Sequence, residues 1–453
     1  MRNLLLLSLF SLYLSYIQAQ PIDINPDNPW YWTYKSKPVM LIGGSNEDNL
    51  FQSPDYLEQL DLLQSLGGNY VRCTMSSRDE GNIWAFAKGA DGLYNLREFN
   101  PAYWQRFADF LAAADERGII VQVEVWATFD FYREPWLDNP FNPKNNSTLN
   151  QRRTHLPDTV STHPIFRENP FFWSVPEMDN NTQLLAYQQR FVDQLLDISL
   201  KHDNVLYCID NETSVTATWP LFWARYIRAK AKLAGRTVHV TEMWDPHDLD
   251  HPDHLTNLFH DDIFTFLDIS QNNHKKGQEH YDNGRAYRQK VAALSHPKPL
   301  NTVKTYGKDK HGSAIDGVQR FWRSAFLGAA SVRFHRPNSG HGLETIAQAN
   351  IKSMRMLCDA LPFWEATATP EILMNASPNE AYAIGISGKT YAVYFPETGA
   401  VRLNLPDSDA ITLQWLDIDQ SEWSIVRQPG SGKPLEINNE DDGKSRVALI
   451  RVE

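Results

Sequence analysis

The chain has 453 residues, which suits one large domain followed by a smaller one. Its formal net charge of −12 argues against a nucleic-acid partner, whose binding relies on Lys and Arg that neutralise phosphates. With 14 Trp, 18 Tyr and 22 Phe, it carries many aromatic rings able to stack on apolar ligand faces, such as those of sugars.

Residues 1–20, MRNLLLLSLFSLYLSYIQAQ, combine an early arginine, Arg2, with an apolar stretch and a small residue near the end. This pattern predicts a signal peptide rather than a membrane span. No later segment is apolar enough to cross a bilayer. We therefore expect a secreted or periplasmic protein without membrane insertion. Cys73 and Cys208 fall in predicted strands, which favours buried thiols over a disulfide framework.

From residue 28 onward, strand-like runs alternate with amphipathic helical stretches, as in parallel sheets with crossover helices. Leu57, Leu60 and Leu63, for example, share one helical face that ends before Gly67. The predicted strands are residues 38–44, 69–74, 119–126, 205–211, 237–242, 263–268, 299–304 and 330–336. Eight such units close into a (β/α)8 barrel, which we place at residues 28–365.

Two segments depart from this alternation. The connection over residues 127–180 is long and rich in Asn, Pro and aromatic residues, which is typical of lids and binding walls. After Pro370, short alternating runs predict a small antiparallel β-sandwich domain over residues 371–453. The predicted fold class is therefore α/β, a (β/α)8 TIM barrel followed by a β-sandwich domain.

Polar residues end nearly every predicted strand. In a (β/α)8 barrel these carboxyl ends form one rim, where the chemistry lies. Glu212 and Glu242 are the predicted catalytic residues, because two carboxylates facing one cleft are what glycosidic-bond hydrolysis needs. The predicted substrate-binding residues on the same rim are Arg72, Glu124, Trp126, Asn211, Asp268, Asn272, His274, Lys304, Tyr306, Arg333 and His335.

Asn211-Glu212 at the end of the fourth predicted strand, with NYVR ending in Arg72 on the second, resembles the retaining (β/α)8 glycoside hydrolases of clan A. The resemblance implies that Glu212 is the general acid/base. GKTYAVYFPETGAVRLNL followed by QWLDI is similar to a module named for collagen binding that ends apiosidase-like barrels. The likeness to those proteins covers most of residues 28–453.

One position departs from the clan A pattern. Those enzymes carry a nucleophilic Glu at the end of the seventh strand, where this sequence has Lys304. The second carboxylate is therefore open between Glu242, Asp268 and Glu124. We prefer Glu242, because adjacent strand ends can hold two carboxylates at the ~5 to 9 Å that retaining and inverting hydrolysis require.

Lys304, Arg72 on the second strand, and Arg333, His335 and Arg336 on the eighth strand place positive charge in the predicted cleft. This charge favours an anionic ligand such as a uronate or sulfated plant or algal sugar. Structural roles are the alternatives. Glu212 could pair with Arg72, and Glu242 could bond neighbouring backbone or pair with Lys304. Arg333, His335 and Arg336 could form a salt-bridge network with Glu344 or Asp316. DPHDLDHPDH, residues 245–254, matches no metal-ligand spacing, and no metal or cofactor is predicted.

The leading functional prediction is an exported glycoside hydrolase acting on a complex polysaccharide or its oligosaccharides, with carbohydrate as the partner and no nucleic acid. A catalytically silent carbohydrate-binding barrel is the alternative, favoured by the lysine on the seventh strand. A matrix adhesin is a third interpretation, and it rests only on the C-terminal module. The oligomeric state is not predicted.

Overall fold

The structure is a computed structural model that describes residues 21–162, 168–260, 262–294, 296–308, 311–406, 410–428, 434–440 and 443–452. The predicted signal peptide, residues 1–20, lies outside the described residues. Within the described ranges, none of the helices has the combination of length and apolar character that a membrane span requires.

A barrel of eight parallel strands, each followed by a helix, forms the first part of the chain. The strands are buried, as expected where helices cover a parallel sheet. They are β1 (Leu41–Gly44), β2 (Tyr70–Thr74), β3 (Ile120–Ala127), β4 (Val205–Asn211), β5 (Val240–Thr241), β6 (Leu267–Asp268), β7 (Leu300–Asn301) and β8 (Ser331–Phe334). The helices that follow them are α1 (Tyr56–Ser65), α2 (Pro101–Glu116), α3 (Thr182–Ser199), α4 (Thr218–Leu233), α5 (Pro252–Phe259), α6 (Gly277–Ala292), α7 (Ala314–Phe326) and α8 (Thr345–Ala360).

Hydrogen bonds close the barrel on itself. One parallel sheet has the order β5-β4-β3-β2-β1-β8, and β6 pairs with β7. The backbone N–H of Thr265 donates to Val240 at 2.9 Å on the β5 to β6 side. The N–H of Thr305 donates to Arg333 at 3.0 Å on the β7 to β8 side. The predicted (β/α)8 barrel is thus confirmed.

β5, β6 and β7 have 2 residues each, fewer than the predicted runs. The reason is that side-chain hydroxyls replace backbone acceptors beside them. The N–H of Val240 donates to Thr265 Oγ1 at 3.0 Å, and the N–H of Thr302 donates to Ser331 Oγ at 2.8 Å. The backbone groups remain satisfied, but the regular ladder is interrupted.

The connection between β3 and α3 packs its aromatic residues against one another. Phe131 and Phe171 have ring centroids 4.1 Å apart, and Phe141 contacts Phe171 at 4.9 Å. The connection includes short helices at Arg133–Asp138 and Gln151–Thr154. It forms a wall beside the carboxyl ends of the strands, which we call the mouth of the barrel.

Two antiparallel sheets follow the barrel. Their strands are β9 (Thr367–Ala368), β10 (Leu373–Met374), β11 (Tyr382–Ile386), β12 (Thr390–Phe395), β13 (Gly399–Leu403), β14 (Ile411–Asp417), β15 (Glu422–Trp423), β16 (Leu435–Asn439) and β17 (Arg446–Val452). The sheet orders are β9-β11-β12-β17-β14-β15 and β10-β13-β16.

Apolar side chains join these two sheets, including Val393 and Phe395 from β12 and Val401 from β13. The predicted β-sandwich is confirmed. The other face of the larger sheet packs on the barrel, where Tyr394 stacks on Trp322 of α7 with centroids 5.5 Å apart. The sandwich therefore shares a hydrophobic core with the barrel helices.

Candidate active site

Glu212 directly follows β4 and stands at the mouth. Its backbone φ is 60°, in the left-handed region. This conformation costs a residue with a side chain ~1–2 kcal/mol, so the surrounding structure must hold it in place. The next residue, Thr213, is fixed by its N–H, which donates to the Met243 carbonyl at 2.8 Å. The Glu212 side chain is 31% exposed, so a ligand at the mouth can reach its carboxylate.

Lys304 forms an ion pair with Glu212. Its Nζ lies 2.5 Å from Glu212 Oε1 and 3.2 Å from Asn211 Oδ1, and the lysine side chain is only 2% exposed. The Tyr306 hydroxyl donates to the same Glu212 oxygen at 3.5 Å. Burial acts to raise the pKa of Glu212, but the charge and hydrogen bond of Lys304 outweigh it and lower that pKa to about 2. Glu212 is therefore ionised at neutral pH.

Arg72 organises the floor beneath this pair. Its Nε and Nη2 donate to the two carboxylate oxygens of Glu124 at 2.7 and 2.6 Å, and its Nη1 donates to Asp48 at 2.6 Å. Its Nη2 also donates to Asn211 Oδ1 at 2.5 Å. These charge-assisted bonds fix Asn211 beside Lys304. The alternative in which Glu212 pairs with Arg72 is wrong, since Lys304 is the partner of Glu212.

Asp48, which is not among the predicted site residues, forms ion pairs with several cationic side chains. Arg78 and Arg336 each reach its carboxylate, at 3.2 and 3.3 Å, in addition to Arg72. Burial would raise the pKa of Asp48, but these cations hold it well below its usual range. Arg336 also contacts Asp79 at 3.5 Å, so it does not pair with Glu344 or Asp316 as one alternative expected. Arg78 and Arg336 are each 18% exposed at the mouth.

The eighth-strand residues Arg333 and His335 are buried. Arg333 donates to the Val303 carbonyl at 2.6 Å and to Ser45 Oγ, and burial lowers its pKa to about 10. His335 lies with Nε2 3.3 Å from Asp48, and burial lowers its pKa well below the usual value. Both are therefore part of the buried support of the site, with Arg333 0% and His335 6% exposed.

A wall of flat rings lines one side of Glu212. The rings of His247 and His274 stack with centroids 3.3 Å apart and planes at 5°, and Tyr306 stacks on His311 at 3.9 Å. Burial, followed by the neighbouring rings of His247 and His311, lowers the pKa of His274 to about 3, so His274 is neutral at pH 7. His311 could not be predicted from the sequence, because no motif links it to the other rings. The described part of the chain contains no group of three or more His, Cys, Asp or Glu arranged to hold a metal ion.

Glu242 makes no contact with the Glu212–Lys304 ion pair among the described residues. It is fully buried, and neither carboxylate oxygen has a hydrogen-bond partner among the described residues. Burial, and then the nearby carboxyl group of Asp210, raise its pKa well above the usual value. The structure therefore does not bring Glu242 together with Glu212 at the mouth. The alternative pairing of Glu242 with Lys304 is likewise not found.

Trp126 and Asn272 also point away from the mouth, which corrects their predicted contact with substrate. Trp126 is 2% exposed and packs against Phe191 with ring centroids 5.1 Å apart. Asn272 donates to the His280 carbonyl of α6 at 2.9 Å and accepts from Asn283 at 2.8 Å. Their hydrogen bonds and ring contacts stabilise the helices around the barrel.

Asp268 lies inside the barrel. It accepts from the N–H of Ser270 at 2.8 Å and from Gln122 Nε2 at 3.3 Å, and it is 2% exposed. Burial raises the pKa of Asp268 to about 6.

The predicted residues that the structure does gather at Glu212 are Arg72, Glu124, Asn211, His274, Lys304, Tyr306 and His335.

The same fold occurs in solved glycoside hydrolases. A glycoside hydrolase family 5 structure from Bacteroides vulgatus ATCC 8482 aligns with a TM-score of 0.65 and 13% identity over 95% of this chain and 94% of that chain. A second glycoside hydrolase aligns with a TM-score of 0.63 and 13% identity, and the alignment covers 96% of this chain and 97% of that chain. The alpha-amylase of Geobacillus thermoleovorans, complexed with acarbose, gives 0.55 and 11% over 96% of both chains.

These identities are low, so the likeness shows a shared fold. No protein-family model matches the sequence, and no curated protein sequence matches it. The fold defines the chain as a (β/α)8 barrel with a C-terminal β-sandwich, and the mouth of that barrel holds a reachable carboxylate. Fold alone does not fix an activity, so the function is argued from the site.

Proposed function

We propose that the protein is an exported glycoside hydrolase that cleaves glycosidic bonds in a complex anionic carbohydrate. The observation that carries the proposal is the Glu212 carboxylate, held at the mouth on left-handed backbone and 31% exposed. Strained backbone persists where the surrounding structure enforces it, and such residues cluster at functional sites. Glu124 and Asp48 are too deeply buried to offer the same access. The pattern of residues 1–20 supports export.

Glu212 must gain a proton to act as a general acid, and Lys304 opposes this in the substrate-free protein. A carboxylate or sulfate of the substrate close to Lys304 Nζ would attract the same ammonium group. Its negative charge would also disfavour the ionised form of Glu212, so the pKa of Glu212 would rise. An anionic substrate would thereby favour the uptake of a proton from solvent by the acid that cleaves it. Arg78 and Arg336 add positive charge at the same mouth.

Asp245 is the carboxylate that we propose to act with Glu212. The N–H of Asp245 donates to the Thr213 carbonyl at 3.0 Å, which keeps it next to the Glu212 loop. Burial, then the charge of Glu212 and also that of Asp245, raise the pKa of Tyr132, so both carboxylates lie near that phenol. One carboxyl group would protonate the leaving oxygen, and the other would attack the anomeric carbon or activate water.

The test compares wild type, Glu212→Gln and Asp245→Asn on neutral, uronate-containing and sulfated oligosaccharides, with products identified by mass spectrometry. Glu279→Gln is the matched control, because it removes a Lys–Glu pair of 2.7 Å on the exposed surface of α6. We expect product release by wild type and the control, and a loss of at least ~100-fold in Glu212→Gln. Unchanged release by Glu212→Gln would overturn the proposal.

The anionic preference needs its own comparison. A uronate oligosaccharide and its carboxyl-reduced form differ only in the charged group. We expect a higher kcat/KM for the uronate in wild type and a reduced preference in Lys304→Met. Equal kcat/KM values for the two substrates in wild type would contradict an anionic substrate while leaving the hydrolase proposal intact.

One observation favours a second function, a catalytically silent carbohydrate-binding barrel. Lys304 stands where clan A enzymes carry their second glutamate, and it holds Glu212 ionised. In that case oligosaccharides would bind at the ring wall without being cleaved. Isothermal titration showing affinity for a sugar, with no product from any substrate in the panel, would establish the binding function.

A further inference from the structure

A basic groove lies on the outside of the barrel, at the end opposite the mouth. Its volume is about 440 Å³. It lies where α4 ends and the chain enters β5, so it is at the amino ends of the strands, away from Glu212. The residues that define this basic groove are Arg225, Arg228, Lys232, Arg236, Val238 and Ile263.

Among the described residues, three of the four cations in the basic groove have no acidic partner. Arg236 is neutralised by Asp203. Arg228 donates to backbone carbonyl groups, including that of Ile263 at 3.2 Å. Within the described ranges, Arg225, Arg228 and Lys232 form no ion pair, whereas Lys230 on the same helix pairs with Asp193 at 2.7 Å. This local excess of positive charge contrasts with the net charge of −12 of the whole chain.

The three unpaired cations form a row. Arg225, Arg228 and Lys232 are spaced three and four residues apart on α4, so they lie on one helix face with neighbouring Cβ atoms ~5–6 Å apart. Such a row suits a chain that carries an anion on successive units. Arginine forks bind carboxylate and sulfate in a bidentate manner. Val238 and Ile263 provide an apolar floor for the faces of the units between the anions.

We propose that the basic groove binds a polyanionic polysaccharide, either sulfated or rich in uronate, at a site separate from the mouth. A concave groove with an apolar floor fits a single sugar chain better than it fits the flat surface of an anionic membrane. Binding there would hold the protein on the polymer while the mouth acts on another stretch of chain. The inference does not depend on hydrolysis, since binding can be measured without turnover.

The test measures binding of the full chain to dextran sulfate, polygalacturonate and neutral dextran at low and moderate salt. Arg225→Gln/Lys232→Gln removes two exposed charges of the basic groove, and Lys352→Gln/Lys389→Gln removes two exposed charges elsewhere. We expect the groove variant to bind a polyanion about fivefold more weakly and with a shallower salt dependence. The control variant should bind like wild type.

Three results would overturn the inference. Wild type could bind neutral dextran as tightly as both polyanions, or the groove variant could bind like the control. Alternatively, the protein could bind vesicles containing phosphatidylglycerol but neither charged polysaccharide, which would assign the groove to a membrane. Glu212→Gln should retain wild-type binding, so failure of the hydrolase proposal and failure of this inference are distinguishable. If the groove variant binds only one of the two polyanions, dextran sulfate or polygalacturonate, more weakly than wild type does, that polyanion carries the anion that the groove prefers.

Discussion

Replacing Lys304 with Met removes the charge that faces Glu212 and keeps most of the side-chain volume. In wild type burial acts to raise the pKa of Glu212, and Lys304 is the main group that lowers it from an ordinary value of 4.5 to about 2. Without Lys304, burial still raises that pKa while Arg72 still lowers it. We therefore expect the pKa of Glu212 in Lys304→Met to return to its ordinary value or above.

The shift gives the size of the effect. At ~1.4 kcal/mol per pKa unit, the net lowering of the Glu212 pKa from 4.5 to about 2 corresponds to about 3 kcal/mol, and Lys304 is the main group that produces it. The Glu212 side chain is 31% exposed, so water screens part of this energy. We expect a coupling of about 2 kcal/mol, above the range of a surface pair.

A double-mutant cycle measures this coupling. Urea unfolding at pH 7 would be recorded for wild type, Glu212→Gln, Lys304→Met and the double variant. The folded-state pKa of Glu212 lies below its unfolded value, so its contribution is present above pH ~4.5 and is lost as pH falls toward 2. Glu212→Gln should lose less stability than wild type over that interval. A coupling below ~0.5 kcal/mol would refute the reasoning.

Two further predictions concern the groups around the pair. Arg72→Lys should lower the free energy of unfolding by about 3 kcal/mol, because lysine cannot replace the bidentate contact with buried Glu124. Arg117→Lys is the control, because its partner Asp61 is exposed, and it should change the free energy of unfolding by less than ~0.5 kcal/mol. Equal losses of stability in the two variants, measured by urea unfolding, would contradict the role of Arg72. Glu242 has a raised pKa, so wild-type stability should fall as pH rises above the ordinary 4.5. Glu242→Gln should reduce that fall in Tm between pH 5 and 9, and identical slopes would show that Glu242 does not titrate as the structure indicates.

The barrel could be predicted from the sequence because hydrophobic periodicity and strand-to-helix alternation are local signals. The run from Val205 to Ile209 is apolar and β-branched, and it forms β4 as expected. The lengths of β5 to β7 could not be predicted, since the ladder there is interrupted by hydroxyl groups such as Thr265 Oγ1 and Ser331 Oγ from neighbouring strands.

The site was predictable only as a set of strand ends. Asn211 and Glu212 were selected because they follow an apolar strand, but the direction of each side chain depends on local backbone conformation. Trp126 and Glu242 lie at the ends of β3 and β5, the strands on either side of β4, and both are buried instead of facing the mouth. The pairing of Glu212 with Lys304 joins residues 92 positions apart, and no local pattern encodes such a contact.

The most direct test of the central claim is hydrolysis of a uronate-containing oligosaccharide in ¹⁸O-labelled water, followed by mass spectrometry of the released reducing ends. Wild type and Glu279→Gln should incorporate ¹⁸O into newly formed reducing ends, and Glu212→Gln, checked for native Tm, should release almost none. Release by Glu212→Gln at the wild-type rate would contradict the account, because the chemistry would then lie outside the Glu212–Lys304 pair.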